Sequence, residues 1–326
     1  MTAYTFRRRG ILATVATLAA PRLGRGDGAF PQRPITLIVP AAPGGTNDTT
    51  ARLLATPLAA ALGRPVVIEN RSGASGNLAM QQVARARPDA HTLLMSYSGY
   101  HVTNPFVFAN PGWDPVRDFA PVALAVRAPH VILARSGLPA SLQDLLAEAR
   151  RARRPLTYGS SGVGSIQHIG GALLAERTGL ELVHVPYRGA APALNDLVAG
   201  SIDLLITSVP PAVAQIAGGR VRALALAAED RHPALPDVPT TGEAGRPGYH
   251  LEAWFAVFGT AGSPPEALAR LGSDLRRIIV EAEFARRIEE QGAFARYAAA
   301  DDLASVLRAD LAFWEPVIRT AGIRAE

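Results

Sequence analysis

Residues 39–48 read VPAAPGGTND and follow directly on the apolar run Ile35-Thr36-Leu37-Ile38. A plain turn needs fewer special residues than this. Gly44 and Gly45 let backbone N–H groups approach a bound group with no Cβ in the way. Thr46, Asn47 or Asp48 can cap a helix that starts there. Free N–H groups at such a helix end, together with the helix dipole, favour an anion such as a carboxylate. A simple tight turn with an N-cap is the plainer alternative. Asp48 reads as a cap or a supporting group, because its own charge would repel an anion.

Working outward, ITLIVP (35–40) is a strand. A helical pattern follows, with Ala51, Leu54, Ala55, Leu58, Ala59 and Leu62 on one face and Gly63 as its stop. Pro57 falls inside that pattern and predicts a kink or a restart. PVVIEN (65–70) and HTLLMSYS (91–98) read as further strands, with a helix over 76–87 between them. This alternation predicts a parallel sheet with helices on its faces, an α/β fold. PVALAVRAPHVILAR (121–135) is a long extended stretch broken by Pro129. A second α/β layer then runs from a helix at 141–153 to the strand VRALALAA (221–228). HLEAWFAVFGTAG (250–262) is again extended, and three helices follow at about 264–283, 284–291 and 301–319. Two extended segments flanking the second layer imply a chain that crosses twice between two hinged lobes. The boundaries expected are 30–125 with 251–326 for one domain and 126–250 for the other.

The 326 residues contain no Cys, which excludes disulfides, thiolate metal sites and a Cys nucleophile. All 33 basic residues are Arg, which excludes a Schiff-base lysine and the lysine of a P-loop. Of the net charge of +5, residues 1–29 carry +4, which leaves +1 for the rest and no basic stripe for nucleic acid. Those first residues combine TFRRRG with the short apolar ILATVATLAA, the pattern of an export signal over 1–29, and Arg8-Arg9 fits a twin-arginine variant. A soluble, periplasmic mature protein is expected, with no later membrane-spanning segment. The alternatives for the leader are a membrane anchor or a disordered tail.

Ligands of open α/β sheets bind beyond the carboxyl ends of the strands. Beside the opening loop, YGSSGVGSIQH (158–168) leaves a strand and opens a helix, with Gly162, Gly164 and the hydroxyls of Ser160, Ser161 and Ser165 as neutral donors. Its glycine spacing fits neither a dinucleotide fingerprint nor a nucleophile elbow. VPYRGAAPALND (185–196) places Tyr187, Arg188 and Gly189 at another strand end, where Arg188 can pair with a carboxylate or lie on the surface. Thr207 and Ser208 follow a further strand, and Ser96, Tyr97 and Ser98 hold the equivalent place in the first layer. His168 lies near the serines, but no acid is placed to orient it for catalysis. No metal-ligand spacing is present and no cofactor is called for.

PITLIVPAAPGGTNDTTARLLATPLAAALGRPVVIENRSGASGN, followed in order by WDPVRDFAPVAL, LTYGSSGVGSIQH, VPYRGAAPALNDLVAGSIDLL and LPDVPTTGEAG, resembles the Bug-type extracytoplasmic solute receptors of the tripartite tricarboxylate transporter class. Pro57 and Asn47 depart from that family's pattern. The resemblance implies a type II-like, two-lobed periplasmic binding-protein fold and a small organic carboxylate between the lobes. It implies no catalysis, and a membrane permease or sensor as partner. It assigns the carboxylate grip to Ala42, Gly44, Gly45 and Thr46, with Ser160, Ser161, Ser165, His168 and the 187–189 loop from the distal lobe. A monomer that binds no nucleic acid is expected. The rival reading is an exported hydrolase that uses a serine of 160–165 with His168.

Overall fold

The protein is described by a computed structural model that covers residues 1–2 and 30–325. The expected export signal lies almost wholly outside these described residues. β1 (Ile35–Val39), α1 (Thr46–Leu62), β2 (Val66–Asn70), α2 (Asn77–Ala84) and β3 (Thr92–Tyr97) form the first layer. β1 is sandwiched between β2 and β3 and runs parallel to both. Two short helices, α3 (Ser98–His101) and α4 (Asn104–Val107), precede the long strand β4 (Phe119–Arg135). The second layer comprises α5 (Leu142–Ala152), β5 (Leu156–Ser160), α6 (Ile166–Thr178), β6 (Leu182–Pro186), α7 (Ala190–Ala199), β7 (Leu204–Ser208), α8 (Val213–Ala217) and β8 (Val221–Leu226). β9 (Glu252–Thr260), α9 (Pro265–Val280), α10 (Ala282–Glu290), β10 (Phe294–Ala299) and α11 (Ala300–Thr320) complete the chain.

The strand order is β2-β1-β3-β9-β4-β7-β5-β6, and β8 and β10 also pair with β4. The first layer is parallel, as its alternation predicts, and the sheet as a whole is mixed. Each layer keeps parallel pairs, but β9 pairs antiparallel with β3 and β4, and β7 pairs antiparallel with β4. The cause is the double crossing, because the two segments that link the halves enter the sheet as its central strands. The start of β4 pairs with β9 as far as Pro129, and from His130 onward it pairs with β7. Leu251, on the return crossing, accepts from the His130 N–H at 2.9 Å and donates to the Ala227 carbonyl at 2.9 Å.

Pro129 does not break β4. It stands where the strand changes partner, so the N–H it lacks is missed least there. Pro121 borders a register shift in the same strand, another place where proline is tolerated. Nor does Pro57 restart α1, which runs unbroken through 17 residues to a left-handed Gly63. β10 was not expected from the sequence: FARYAA is short and alanine-rich and lacks a clean alternation. No helix of the described residues is long and apolar enough to cross a membrane.

In α1, Pro57 leaves the Leu53 carbonyl without its helical donor and crowds it. Pro57→Ala restores that N–H and should raise stability by about 1–3 kcal/mol. Thermal unfolding measures the shift. An unchanged or lowered midpoint would show that the ring packs well enough to offset the missing bond.

Candidate functional site

Two helices from different halves of the molecule point their N-termini at one place. Gly45 precedes α1 with extended backbone and no side-chain cap. Gly189 precedes α7 at φ 133°, a conformation that strongly favours glycine. A Cβ on Gly189 would also lie 3.3 Å from the Ala42 nitrogen. Here the two halves touch through their backbones, as the Ala42 N–H donates to the Arg188 carbonyl at 3.1 Å. A Cβ built on Gly45 would lie 3.9 Å from the Ala190 Cβ. Each helix end carries roughly half a positive charge on its unsatisfied N–H groups. The two ends repel unless negative charge sits near them.

Around this point lies a cavity lined by Gly45, Thr46 and Asn47 at the start of α1 and by Gly189 and Ala190 at the start of α7. Ser161, Gln167 and Ser208 add polar atoms, and Ala41, Tyr97, Tyr100 and Phe255 add apolar surface. Its free volume is about 30 Å³, room for about two waters. The walls are tied across the gap. The Thr46 and Ser208 hydroxyls lie 2.7 Å apart, Tyr97 Oη donates to Gln167 Oε1 at 2.8 Å, and Tyr100 Oη donates to the Ser161 carbonyl at 2.5 Å. Ser161 Oγ also donates to Gln167 Oε1, at 2.8 Å. Burial raises both tyrosines, Tyr100 to about 12 and Tyr97 well above its ordinary value, so both stay neutral donors. Among the described residues, no acidic or basic side chain lines the cavity. Asn47 is 4% exposed, and neither polar atom of its side chain has a protein partner.

Asp48 lies in the first turn of α1, where a carboxylate suits the dipole. One of its oxygens accepts from the Gly44 N–H at 3.0 Å. Arg52 grips both oxygens at 2.9 Å, and Asn70 donates to one at 3.0 Å. Burial would raise this acid, but the bonds from Arg52, Gly44 and Asn70 outweigh it and hold Asp48 below its ordinary 3.8. Its charge is thus spent on the loop and on Arg52.

The structure gathers Gly45, Thr46, Asn47, Ser161, Gly189 and Ser208 at the cavity and places the other candidates elsewhere. The N–H groups of Ala42 and Gly44 are taken by Arg188 and Asp48. Ser96 bonds His101 Nδ1 at 2.8 Å, and Ser98 accepts from the Trp254 N–H at 3.1 Å. The residue between them, Tyr97, is the one on the cavity, because successive strand residues face opposite ways. The same alternation puts Ser208 on the cavity and Thr207 behind it. Gly162 and Gly164, at φ 134° and 79°, shape the loop before α6, which Ser165 caps by accepting from the His168 N–H. Tyr187 donates to Asp196 at 2.7 Å, and the Arg188 side chain is exposed. Gln167, Phe255 and Tyr100 were not among the expected site residues. Gln167 stood inside the quoted loop, whereas Phe255 and Tyr100 gave no local signal.

The serine–histidine reading finds no catalytic arrangement. His168 Nδ1 accepts from the Gly164 N–H at 3.1 Å, and its ring stacks on His184 with centroids 3.8 Å apart. The serine that meets a histidine ring is Ser160, whose Oγ lies 2.6 Å from His184 Nε2. Ser160 is fully buried, and burial lowers His168 to about 4 and His184 to about 3. Among the described residues neither ring is hydrogen-bonded to a carboxylate, and no cluster of His, Asp or Glu could hold a metal ion.

The fold is that of the two-lobed periplasmic binding proteins. The periplasmic binding protein BugD superposes with a TM-score of 0.87 at 32% identity, over 91% of this chain and 100% of that one. Residues 50–323 match the tripartite tricarboxylate transporter family receptor, and the chain belongs to that family. Rpa4515 of R. palustris, solved with adipate, superposes with a TM-score of 0.87 at 38% identity, over 90% of this chain and 99% of that one. MatC from Rhodopseudomonas palustris, solved with malate, gives 0.84 at 35% identity, over 89% and 100%.

Arg52→Ala should destabilise the protein by about 1–3 kcal/mol, because it strands the Asp48 carboxylate with only two neutral donors. The folded pKa of Asp48 is depressed, so its contribution is present above the ordinary 3.8 and is lost as pH falls through the lowered value. Denaturant titrations of both proteins should therefore differ at pH 7 and converge at acid pH. A gap that stays constant across that range would refute the role given to Asp48.

Proposed function

We propose that this chain is an exported, periplasmic receptor that captures a small organic carboxylate between its lobes and hands it to a membrane permease or sensor. The observation that carries this reading is the meeting of the α1 and α7 N-termini over a cavity walled by neutral donors. Two half-charges of one sign, with no acidic side chain between them, make a pocket selective for anions without a fixed counter-charge. The carboxylates held by Rpa4515 and MatC support the ligand class. The lobes are taken as 30–125 with 251–326, and 126–250. In the shut geometry a free volume of about 30 Å³ is smaller than a dicarboxylate, so the ligand enters as the lobes part. The receptor works as a monomer and performs no chemistry on its ligand. Family membership and the cationic, apolar leader over 1–29 support periplasmic delivery.

Gly45→Val tests the site. Gly45 has φ −82° and an open space of 3.9 Å to Ala190, so the backbone accepts a side chain, and branched methyls would project into the cavity mouth. The variant should fold as wild type does and lose the thermal stabilisation that organic acids give. If a carboxylate that stabilises wild type stabilises this variant equally, the opening loop is not the grip.

A further inference from the structure

β9 has two faces, and only one of them meets the cleft. Phe255 lines the cavity described above, so Trp254 and Glu252 face the other way. On β4, Arg127 stands opposite Trp254 and Pro129 opposite Glu252, and Phe294 of β10 stands opposite Arg127, so these residues share the rear face. The segment 227–232, which leaves β8 in the other half of the sheet, meets this row where His232 packs on Phe294, ring centroids 4.6 Å apart. Between the segment and the row lies a pocket of about 480 Å³, against about 30 Å³ in the cleft. That size is ordinary for a small-molecule site.

The pocket carries groups of both signs. Arg127 and Arg231 are already paired, with Glu252 and Glu243. Arg296 lies over the Phe294 ring at 5.3 Å, and among the described residues it meets no carboxylate. His232 Nδ1 accepts from the Ala234 N–H at 3.0 Å, and burial keeps the ring neutral, so its proton sits on Nε2. That Nε2 is buried without a partner. Among the described residues Asp230 meets no cation, and Glu229 meets only the His250 ring, at 3.8 Å. A water can satisfy Nε2, but it cannot answer two separated charges of opposite sign. A plain anion is drawn by Arg296 and repelled by Asp230 and Glu229, and a plain cation meets the reverse. We propose that this pocket is a second binding site, for a small zwitterion whose carboxylate meets Arg296 and His232 Nε2 and whose cationic nitrogen meets Asp230 and Glu229. It stands apart from the cleft and does not rest on the receptor reading.

The test is calorimetry on wild type and on Gly45→Val, the change that should block the cleft. Glycine and glycine betaine carry the charge pair, with and without ammonium N–H donors, and acetate and methylamine carry one charge each. A zwitterion should bind to both proteins, and acetate and methylamine should bind Gly45→Val about tenfold more weakly. Arg296→Gln and Asp230→Asn alter exposed side chains, so both should fold as wild type does. Each should weaken the zwitterion about tenfold. Acetate that binds Gly45→Val as tightly as the zwitterions overturns the ligand class. Zwitterion binding that Gly45→Val abolishes and Arg296→Gln leaves intact places the ligand in the cleft and overturns the site. No zwitterion bound to any of these proteins also overturns it, and leaves the carboxylate receptor standing.

Discussion

Two helix N-termini facing one another across a gap form an electrostatically unfavourable arrangement, and the rest of this molecule holds it in place. α1 and α7 belong to different halves of the sheet, and each begins at a glycine that lets the other half come close. The Ala42–Arg188 backbone bond and the Thr46–Ser208 hydroxyl contact oppose the repulsion when the halves are shut. The aromatic wall contributes in the same sense, with Tyr97 stacked on Phe255 at 5.5 Å and bonded across the gap to Gln167. None of these contacts carries a formal charge. The field at the cavity is therefore set by the peptide dipoles rather than by side-chain ions.

Asp48 shows how this field is protected. A carboxylate at the start of α1 would quench it if left free. Arg52, one turn later on the same helix, returns an equal positive charge, and Asn70 on β2 completes the cage. The pair is placed so that the acid braces the Gly44 peptide while its charge is cancelled locally. The chain uses arginine for every basic residue, and only a forked guanidinium can grip both oxygens at once.

The fold was largely legible because strand ends, glycine stops and helical periodicity are local signals. The opening loop, the serine-rich loop and the loops at 187–189 and 207–208 are marked in the sequence by their positions after strands. The inward-facing member of each pair was harder to read. The sequence offers Ser96, Tyr97 and Ser98 together, and Thr207 with Ser208, while only Tyr97 and Ser208 of these line the cavity, because parity along a short strand depends on its neighbours in the sheet. The antiparallel centre was hidden for a similar reason, since it follows from where the crossing segments insert. β10 and the contributions of Phe255 and Tyr100 arise only from tertiary packing. The unpartnered amide of Asn47 could not be seen in sequence at all, because being unpartnered is a property of surroundings.

β4 belongs to both halves of the sheet, and the exchange of neighbours occurs at Pro129. A proline nitrogen gives the ladder nothing to break. The neighbouring return segment is fastened there through Leu251, whose bonds to His130 and Ala227 lie on one side of that point. On the receptor reading proposed above, a swing of one half against the other would be taken up as torsion beside Pro129 and Leu251, where the two segments cross. The halves are joined here by the strand itself, so a hinge at this crossing would need no flexible linker.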